Sequence, residues 1–456
     1  MITNHGIHQW NVIPGLPDTG GQNVFVNQFT DTLEKQGLKI SIVNRGGYAH
    51  PITGEIRRGI HYKNESCRIL YLEDDDNVFV NKEEMDGHLP QLAEFLYRHI
   101  EEEGIPIDLL ISHYWDGAKL GIMLNRKLEK KLPHVWIPHS LGSIKKRNVS
   151  PERWQPLNID QRIKNEMDIV KEVDAIADTS ITIREALSVD YKTQSSVFLP
   201  PCVSVERFRP RKIDNNHEIW SFLSHVSGLS IPEIQRCKII TEISRTDTTK
   251  RKNVLIDAFA RVHKDHPDTF LIVAIDNNEV ALSRELTNQM KRLGIDTHTA
   301  AIGNEWDRMP FIYAVTDIYC TPSIMEGFGM SAQEAAATRV PVVSSSLVPF
   351  VSEYLLGADE EKVTYRTDAG KEQVLTVGAG AVTVEPDDVA GFEIALKTLI
   401  ENDALRKRMG KTAYNITVPY FTWDAMVEIF LNAIAPETPI DNDEPPRDTK
   451  KMPIAV

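Results

Sequence analysis

A rhythm that runs twice constrains this chain more than any single residue does. Short apolar runs alternate with stretches of helical periodicity. In the first half "GLKISIVNRG", "CRILYLED", "IDLLISHYWDG", "HVWIPHSLG" and "VDAIADTS" read as strands, with helices over 22–36, 82–103, 117–130 and 161–173. The pattern then restarts: "CKIITEISR", "TFLIVAID", "HTAAIG", "DIYCTPS" and "VPVVSSS" are strand-like, with helices over 253–265, 280–293, 307–315 and 329–338. Strands alternating with helices form a mostly parallel sheet covered on both faces. Two such runs predict an α/β protein of two doubly wound, Rossmann-like domains facing across a cleft. Ligands of these sheets bind beyond the carboxyl ends of the strands, so residues there carry most weight.

The proline-bearing stretch "FLPPCVSVERFRPRK" reads as the crossing between the halves. We expect a first domain over 1–205, a linker over 206–236 and a second domain over 237–415. A helix over 416–436 is expected to cross back to the first domain, followed by a disordered tail over 437–456, rich in Pro and charge. Residues 358–376 read as an insertion loop. The opening "MITNHG" reaches its glycine turn after too few residues for a full strand. The first strand therefore reads as truncated, or the true start as lying upstream. Periodic Phe25, Phe29 and Leu33 read as core.

A formal net charge of −14 argues against general nucleic-acid binding, so any anion site must be a local basic cluster. Cys67, Cys202, Cys237 and Cys320 are scattered, with no CxxC pair. That usage fits a reducing compartment, and a cytoplasmic protein is expected. No apolar run approaches the ~18 residues of a membrane helix, and no signal-peptide core follows Met1.

Several stretches at predicted strand ends carry chemistry. In "SIMEGFGMSAQEAAATRVPVV", Glu326 closes a loop, Gly327 and Gly329 open a helix, and Glu334 falls inside it. The free N–H groups of a helix start suit a diphosphate. Two carboxylates eight residues apart can accept paired hydroxyls of a sugar or ribose, although the bland alternative is a glycine turn with two solvated glutamates. "ISRTDTTKRKN" places Arg245 at a strand end, with Lys250, Arg251 and Lys252 following; a bare KRK turn is as readily solvated charge. In "PDTGGQNVFV", Gly20 and Gly21 let the backbone approach an anion at a helix start. "NKEEMDGHLPQL" holds Lys82, "HYWDG" holds Tyr114, and "HSLGSIKK" holds His139, Ser140 and Lys145.

Together these stretches resemble the retaining GT-B glycosyltransferases of family four, and within them the sucrose-phosphate synthases. The glutamate stretch is similar to the family's E-x7-E region, "ISRTDTTKRKN" to its SRxDxxKN, and "HYWDG" and "HSLG" to the synthases' HYxDG and HSLG. The resemblance spans roughly residues 1–435. It implies the GT-B fold and transfer of a hexose, with retention, from a nucleotide sugar to a phosphorylated small acceptor, as from UDP-glucose to fructose 6-phosphate. It implies catalytic roles for His139, Arg245, Lys250 and Glu326. It implies donor contacts from Gly21, Lys252, Gly329, Met330 and Glu334. The acceptor would meet Gly20, Gln22, Lys82, Tyr114, Ser140 and Lys145. This chain is two residues longer at the basic turn, so Lys250 or Lys252 could be the family's lysine. No cofactor is expected, and some stimulation by magnesium is compatible with that.

One departure leaves donor and acceptor open. Where the family has a GGPxE loop, this chain has "SSSLVPFVSEYLLG". GDP-mannose or another donor, or another phosphorylated acceptor, stays in play, as in mannosylfructose-phosphate or glycosyl-phosphoglycerate synthases. A nucleotide-sugar epimerase needs no acceptor-phosphate site, so Lys82 and Lys145 speak against it. A non-catalytic sensor is disfavoured by the complete motif set, and a dinucleotide dehydrogenase by the lack of GxGxxG after a strand. Asp74, Asp75 and Asp76 could hold a divalent cation through oxygens, but read better as an acidic loop. His5 and His8, spaced i, i+3 across a glycine turn, are poor metal evidence.

Overall fold

The computed structural model describes residues 1–434 except 14, 15, 277, 278, 304, 359 and 419. The expected tail over 437–456 lies outside the described residues. The chain divides into two compact units, Met1–Pro201 joined by the segment from Met426, and Cys202–Ala425. The boundary falls within the proline-bearing stretch.

In the first unit, β1 (Ile40–Arg45), β2 (Gly59–Tyr62) and β3 (Cys67–Leu72) form a sheet of order β1-β3-β2. A second sheet runs β4-β5-β6-β7, from β4 (Leu110–His113), β5 (His134–Ile137), β6 (Ala175–Asp178) and β7 (Val197–Phe198). Ile2 joins the two. It forms parallel bridges to both Val43 and Ser112, donating to the Ile111 carbonyl and accepting from His113 N–H. Ile2 thus aligns β1 beside β4. The helix Gly21–Lys35 packs its apolar side inward, with Phe25 and Phe29 fully buried. Phe29 meets Phe430, from the helix Trp423–Ile434, edge-on with centroids 5.2 Å apart.

The second unit is one eight-stranded sheet. Its strands are β8 (Lys238–Glu242), β9 (Thr269–Ala274), β10 (Thr299–Ile302), β11 (Ile318–Thr321), β12 (Val342–Ser345), β13 (Glu361–Arg366), β14 (Glu372–Val377) and β15 (Ala381–Val384). Their order is β10-β9-β8-β11-β12-β15-β14-β13, parallel from β10 to β15, with the last two antiparallel. Continuous burial along β9 and β12 fits apolar strands covered on both faces.

Two readings change. Residues 358–376, expected as an insertion loop, hold the β13–β14 hairpin: "EKVTYR" and "EQVLTV" mix polar and apolar side chains, as a half-exposed antiparallel edge does. The stretch expected as linker carries the helices Glu218–Ser227 and Ile231–Arg236, which belong to the second unit. Ile219, Trp220 and Leu223 bury one side of the first of them.

Close approach fixes Gly410, on the helix Asp403–Thr417. A Cβ there would lie 2.1 Å from the Arg339 carbonyl oxygen. Gly410→Ala is therefore expected to destabilise the protein by about 1–3 kcal/mol, the usual range for overpacking. A thermal melt would read this, and an unchanged midpoint would show that the helix shifts freely against Arg339.

Candidate functional site

In the first unit the strand ends bring four sequence segments together. Asp18, just before the glycine pair, accepts from Lys82 through both its backbone N–H, at 3.1 Å, and its ammonium. Lys82 Nζ also lies 3.6 Å from Glu83 Oε1, and Lys145 Nζ lies 3.3 Å from the same oxygen. The two expected lysines therefore converge on one carboxylate. Burial disfavours both charges. Asp18, Tyr114 and Glu83 more than offset this for Lys82, whose pKa is raised, whereas burial prevails at Lys145 and lowers its pKa. Gly21 and Gln22 open their helix, and among the described residues their N–H groups make no backbone hydrogen bond. The Gln22 amide donates to Thr3 Oγ1 at 3.0 Å.

Tyr114 and Ser140 also meet, with hydroxyls 2.8 Å apart. Behind them Arg162 donates to the Ser140 carbonyl at 2.7 Å and to its hydroxyl at 2.9 Å. Its guanidinium lies 4.8 Å from the Tyr114 ring centroid. Burial would raise the phenol's pKa, but the Arg162, Lys82 and His5 cations prevail and bring it down to about 8. Arg162 is itself buried and held by Glu166 at 2.8 Å, which also accepts from Gly142 N–H and the Tyr191 hydroxyl. His139 turns off the end of β5 with φ 55°, its Nε2 lying 2.9 Å from His113 Nδ1. His5 is occupied by Asp116, at 2.9 Å.

In the second unit, Lys250 reaches Glu326 at 2.5 Å and the Met325 carbonyl at 3.3 Å. Gly329 precedes the helix Met330–Ala337 with φ 108°, and a Cβ there would meet Val348 at 2.6 Å. Only glycine suits that backbone and that approach. Among the described residues the Met330 and Ser331 N–H groups make no backbone hydrogen bond. Glu334, one helical turn in, accepts from the Tyr313 hydroxyl at 3.0 Å. Burial pushes its carboxyl up to about 7, against the opposing Tyr313 hydrogen bond and Arg207 charge. Arg245 is exposed and forms no ion pair among the described residues.

Lys252 is a correction. Its ammonium is sealed against Glu242, with 1% and 0% of the two side chains exposed, and donates to the Ser244 carbonyl at 3.0 Å. It braces the turn that presents Lys250. Of the two lysines, Lys250 is the one that reaches Glu326. Asp74, of the stretch read as an acidic loop rather than a cation site, is gripped by both Arg45 Nε and Nη2 at 2.7 Å, and His88 adds a contact at 3.0 Å.

Sequence reasoning missed Asp18, Glu83, Arg162, Tyr313 and Arg207. Glu83 stands next to Lys82 in sequence, and an acid beside a basic residue was a usable signal there. Arg162 and Glu166 stand at i, i+4 on a predicted helix, a spacing that favours pairing. Arg207 lies over Trp306, 3.9 Å from its ring centroid, a pairing across 99 residues with no sequence signature.

Residues 231–416 match the glycosyl transferases group 1 family. Over 453 residues the chain is 25% identical to mannosylfructose-phosphate synthase of Agrobacterium fabrum, covering 96% of this chain and 91% of that protein. It is 26% identical over 434 residues to D-inositol 3-phosphate glycosyltransferase of Corynebacterium jeikeium, covering 91% of each. Its fold is similar to that of a sucrose-phosphate synthase from Thermosynechococcus elongatus, with a TM-score of 0.73 at 19% identity over 94% of this chain and 96% of that one. The chain has the GT-B fold, and residues 231–416 of its second unit match a group 1 glycosyl transferase domain. Among the described residues no helix is long and apolar enough to cross a membrane.

The different positions of the two lysines separate their effects. Lys252→Met strands the Glu242 charge in the interior and should destabilise by about 3–5 kcal/mol, the range for breaking a buried pair. Lys250→Met, at a partly open pair, should melt nearer wild type while losing turnover. Chemical denaturation and initial rates on both variants check this, and equal stability losses would remove the distinction.

Proposed function

We propose that the protein moves a hexose, with retained configuration, from a nucleoside diphosphate sugar to a phosphorylated small acceptor, a sugar phosphate first of all. The observation that carries this reading is the convergence of Lys82 and Lys145 on one carboxylate oxygen, with Lys82 also held by Asp18, just before the helix start of Gly21 and Gln22, whose N–H groups make no backbone hydrogen bond among the described residues. A phosphate dianion could take over both ammonium partners from Glu83 and add hydrogen bonds from the helix start. The relatives' names support it: two act, as named, on or toward sugar or inositol phosphates. UDP-glucose with fructose 6-phosphate is the first pair to test. The similarity to a mannosylfructose-phosphate synthase favours GDP-mannose as the second donor.

In this reading the bond from the sugar C1 to the diphosphate oxygen breaks as the acceptor oxygen bonds to C1 on the same face. The acceptor's hydroxyl proton passes to the departing diphosphate. Lys250, Arg245 and the helix start at Gly329–Met330 stabilise the charge that grows on that leaving group. Glu326 holds sugar hydroxyls, Glu334 holds the ribose, and His139 meets the donor sugar. Tyr114 and Ser140 line the acceptor side. No metal is required, so turnover should survive EDTA.

A panel of nucleotide sugars against free and phosphorylated acceptors tests the reading. Lys145→Ala should raise the KM for the phosphorylated acceptor about tenfold to a hundredfold, as expected for one charge-assisted contact of ~1.5–3 kcal/mol. Hydrolysis of the donor should change little. If the free sugar reacts as well as its phosphate ester, the acceptor assignment falls. Inversion at C2 or C4 of a nucleotide sugar without any acceptor would point to an epimerase instead.

Glu334 supplies a pH prediction. Its folded-state pKa of about 7 lies above that of an ordinary carboxyl, so lowering the pH through 7 converts a hydroxyl acceptor into a neutral acid. Nucleoside diphosphate affinity should therefore rise from pH 6 to pH 8 and level off above it. Glu334→Gln should bind more weakly and flatten the profile. Calorimetric titration with UDP and GDP reads both, and an unchanged slope in the variant would assign the pH effect elsewhere.

A further inference from the structure

The imidazoles at the ends of β4 and β5 form a pair whose proton can be placed by elimination. His113 ends β4 and is fully buried, and His139 follows β5 and is partly exposed. The His113 Nδ1 to His139 Nε2 distance is 2.9 Å, while the ring centroids are 5.2 Å apart and the planes within 19° of parallel. Nitrogens that approach so much closer than centroids meet edge to edge, in the ring planes, as a hydrogen bond demands. Phe25 flanks the pair, near-perpendicular to both rings, with its centroid 4.8 Å from that of His139 and 6.1 Å from that of His113.

Burial pushes His139 down to about 3 and His113 well below its ordinary value, with the neighbouring imidazoles adding to both. Each ring then carries one proton, and one of the two facing nitrogens must bear it. If His139 Nε2 were the donor, the proton of His113 would sit on Nε2, which is buried and, among the described residues, without a partner. If His113 Nδ1 is the donor, that same Nε2 is only a bare lone pair. Orphaned buried N–H groups are rarer than under-used buried acceptors. The second arrangement is favoured, and it leaves the single proton of His139 on Nδ1.

We propose that His113 is a positioning residue that fixes His139 as the Nδ1–H tautomer, so that His139 offers a hydrogen-bond donor to an oxygen of the donor sugar. The sugar as recipient rests on the functional reading above; the tautomer does not. A neutral donor can bind a hydroxyl oxygen without adding positive charge beside the cationic transition state of glycosyl transfer. Positive φ at His139 keeps the ring on this partner rather than along the strand direction.

The test uses the full chain labelled with 15N-histidine, without ligand, near pH 7.5. Long-range 1H–15N correlation should give His139 a pyrrole-type Nδ1 and a pyridine-type Nε2, assigned by the resonances lost in His139→Gln. Protonation at Nε2, or at both nitrogens, overturns the proposal whatever the activity. On whichever donor and acceptor turn over, His113→Leu should lower kcat about tenfold to a hundredfold, the usual effect of losing a group that orients an imidazole, with a smaller change in donor KM. His113→Asn retains an amide N–H close to the Nδ1 position and should restore most of the loss. Equal kcat in wild type and His113→Leu, with the leucine variant folded, would overturn the positioning role. Absence of turnover with every nucleotide sugar would instead sink the functional reading and leave the tautomer result intact.

Discussion

Each unit hides a complete ion pair beneath the loops that follow its strands, and the exposed site residues hang on these pairs. Arg162–Glu166 lies under the loop carrying His139, Ser140 and Gly142, and Lys252–Glu242 lies under the turn carrying Arg245 and Lys250. A buried charge without its partner is strongly destabilising, so the loops around each pair have little freedom to rearrange. The remaining capacity of each pair is spent on the loop itself. Arg162 holds both oxygens of Ser140, Glu166 holds Gly142 N–H, and Lys252 holds the Ser244 carbonyl. The ion pairs contribute more through the geometry they impose than through net stability.

Backbone strain is concentrated at the same places. Asp18, Tyr114, His139 and Arg251 all have positive φ, which is sterically costly for residues with a Cβ. Three of them are offset locally. Trp136 donates its indole N–H to the Tyr114 carbonyl at 2.9 Å, Lys82 takes both sides of Asp18, and Arg251 pairs with Asp387 at 2.7 Å. Such turns point a side chain away from the strand direction, toward the open end of the sheet where ligands of doubly wound folds bind. Gly6 makes the Asp18 turn fit, since a Cβ on it would lie 2.3 Å from the Asp18 carbonyl oxygen.

Three of the basic residues expected to meet phosphate, Lys82, Lys145 and Lys250, are paired with carboxylates. Asp18 and Glu83 balance Lys82 and Lys145, and Glu326 balances Lys250. This is how a chain of net charge −14 can keep cations clustered without local repulsion. A phosphate must then displace a carboxylate, so recognition becomes an exchange of one anion for another. Such exchange favours a dianion with several oxygens over a single hydroxyl.

Strand and helix periodicity determined much of the fold. The ten apolar runs each contain an observed strand, because a buried parallel strand must be almost continuously apolar. The β13–β14 hairpin escaped because a half-exposed edge strand mixes polar with apolar residues and resembles a loop. Resemblance of short motifs to a known family brought forward Lys82, Lys145, Tyr114, Ser140, His139, Lys250 and Glu326. Only the tertiary structure separated Lys250 from Lys252. Two residues apart on a turn, they share one sequence signature, yet one ammonium opens toward Glu326 and the other is sealed on Glu242. Charge partners at long range, such as Asp18 with Lys82 or Arg207 with Trp306, were likewise fixed only by folding, because no periodicity links residues 64 or 99 positions apart.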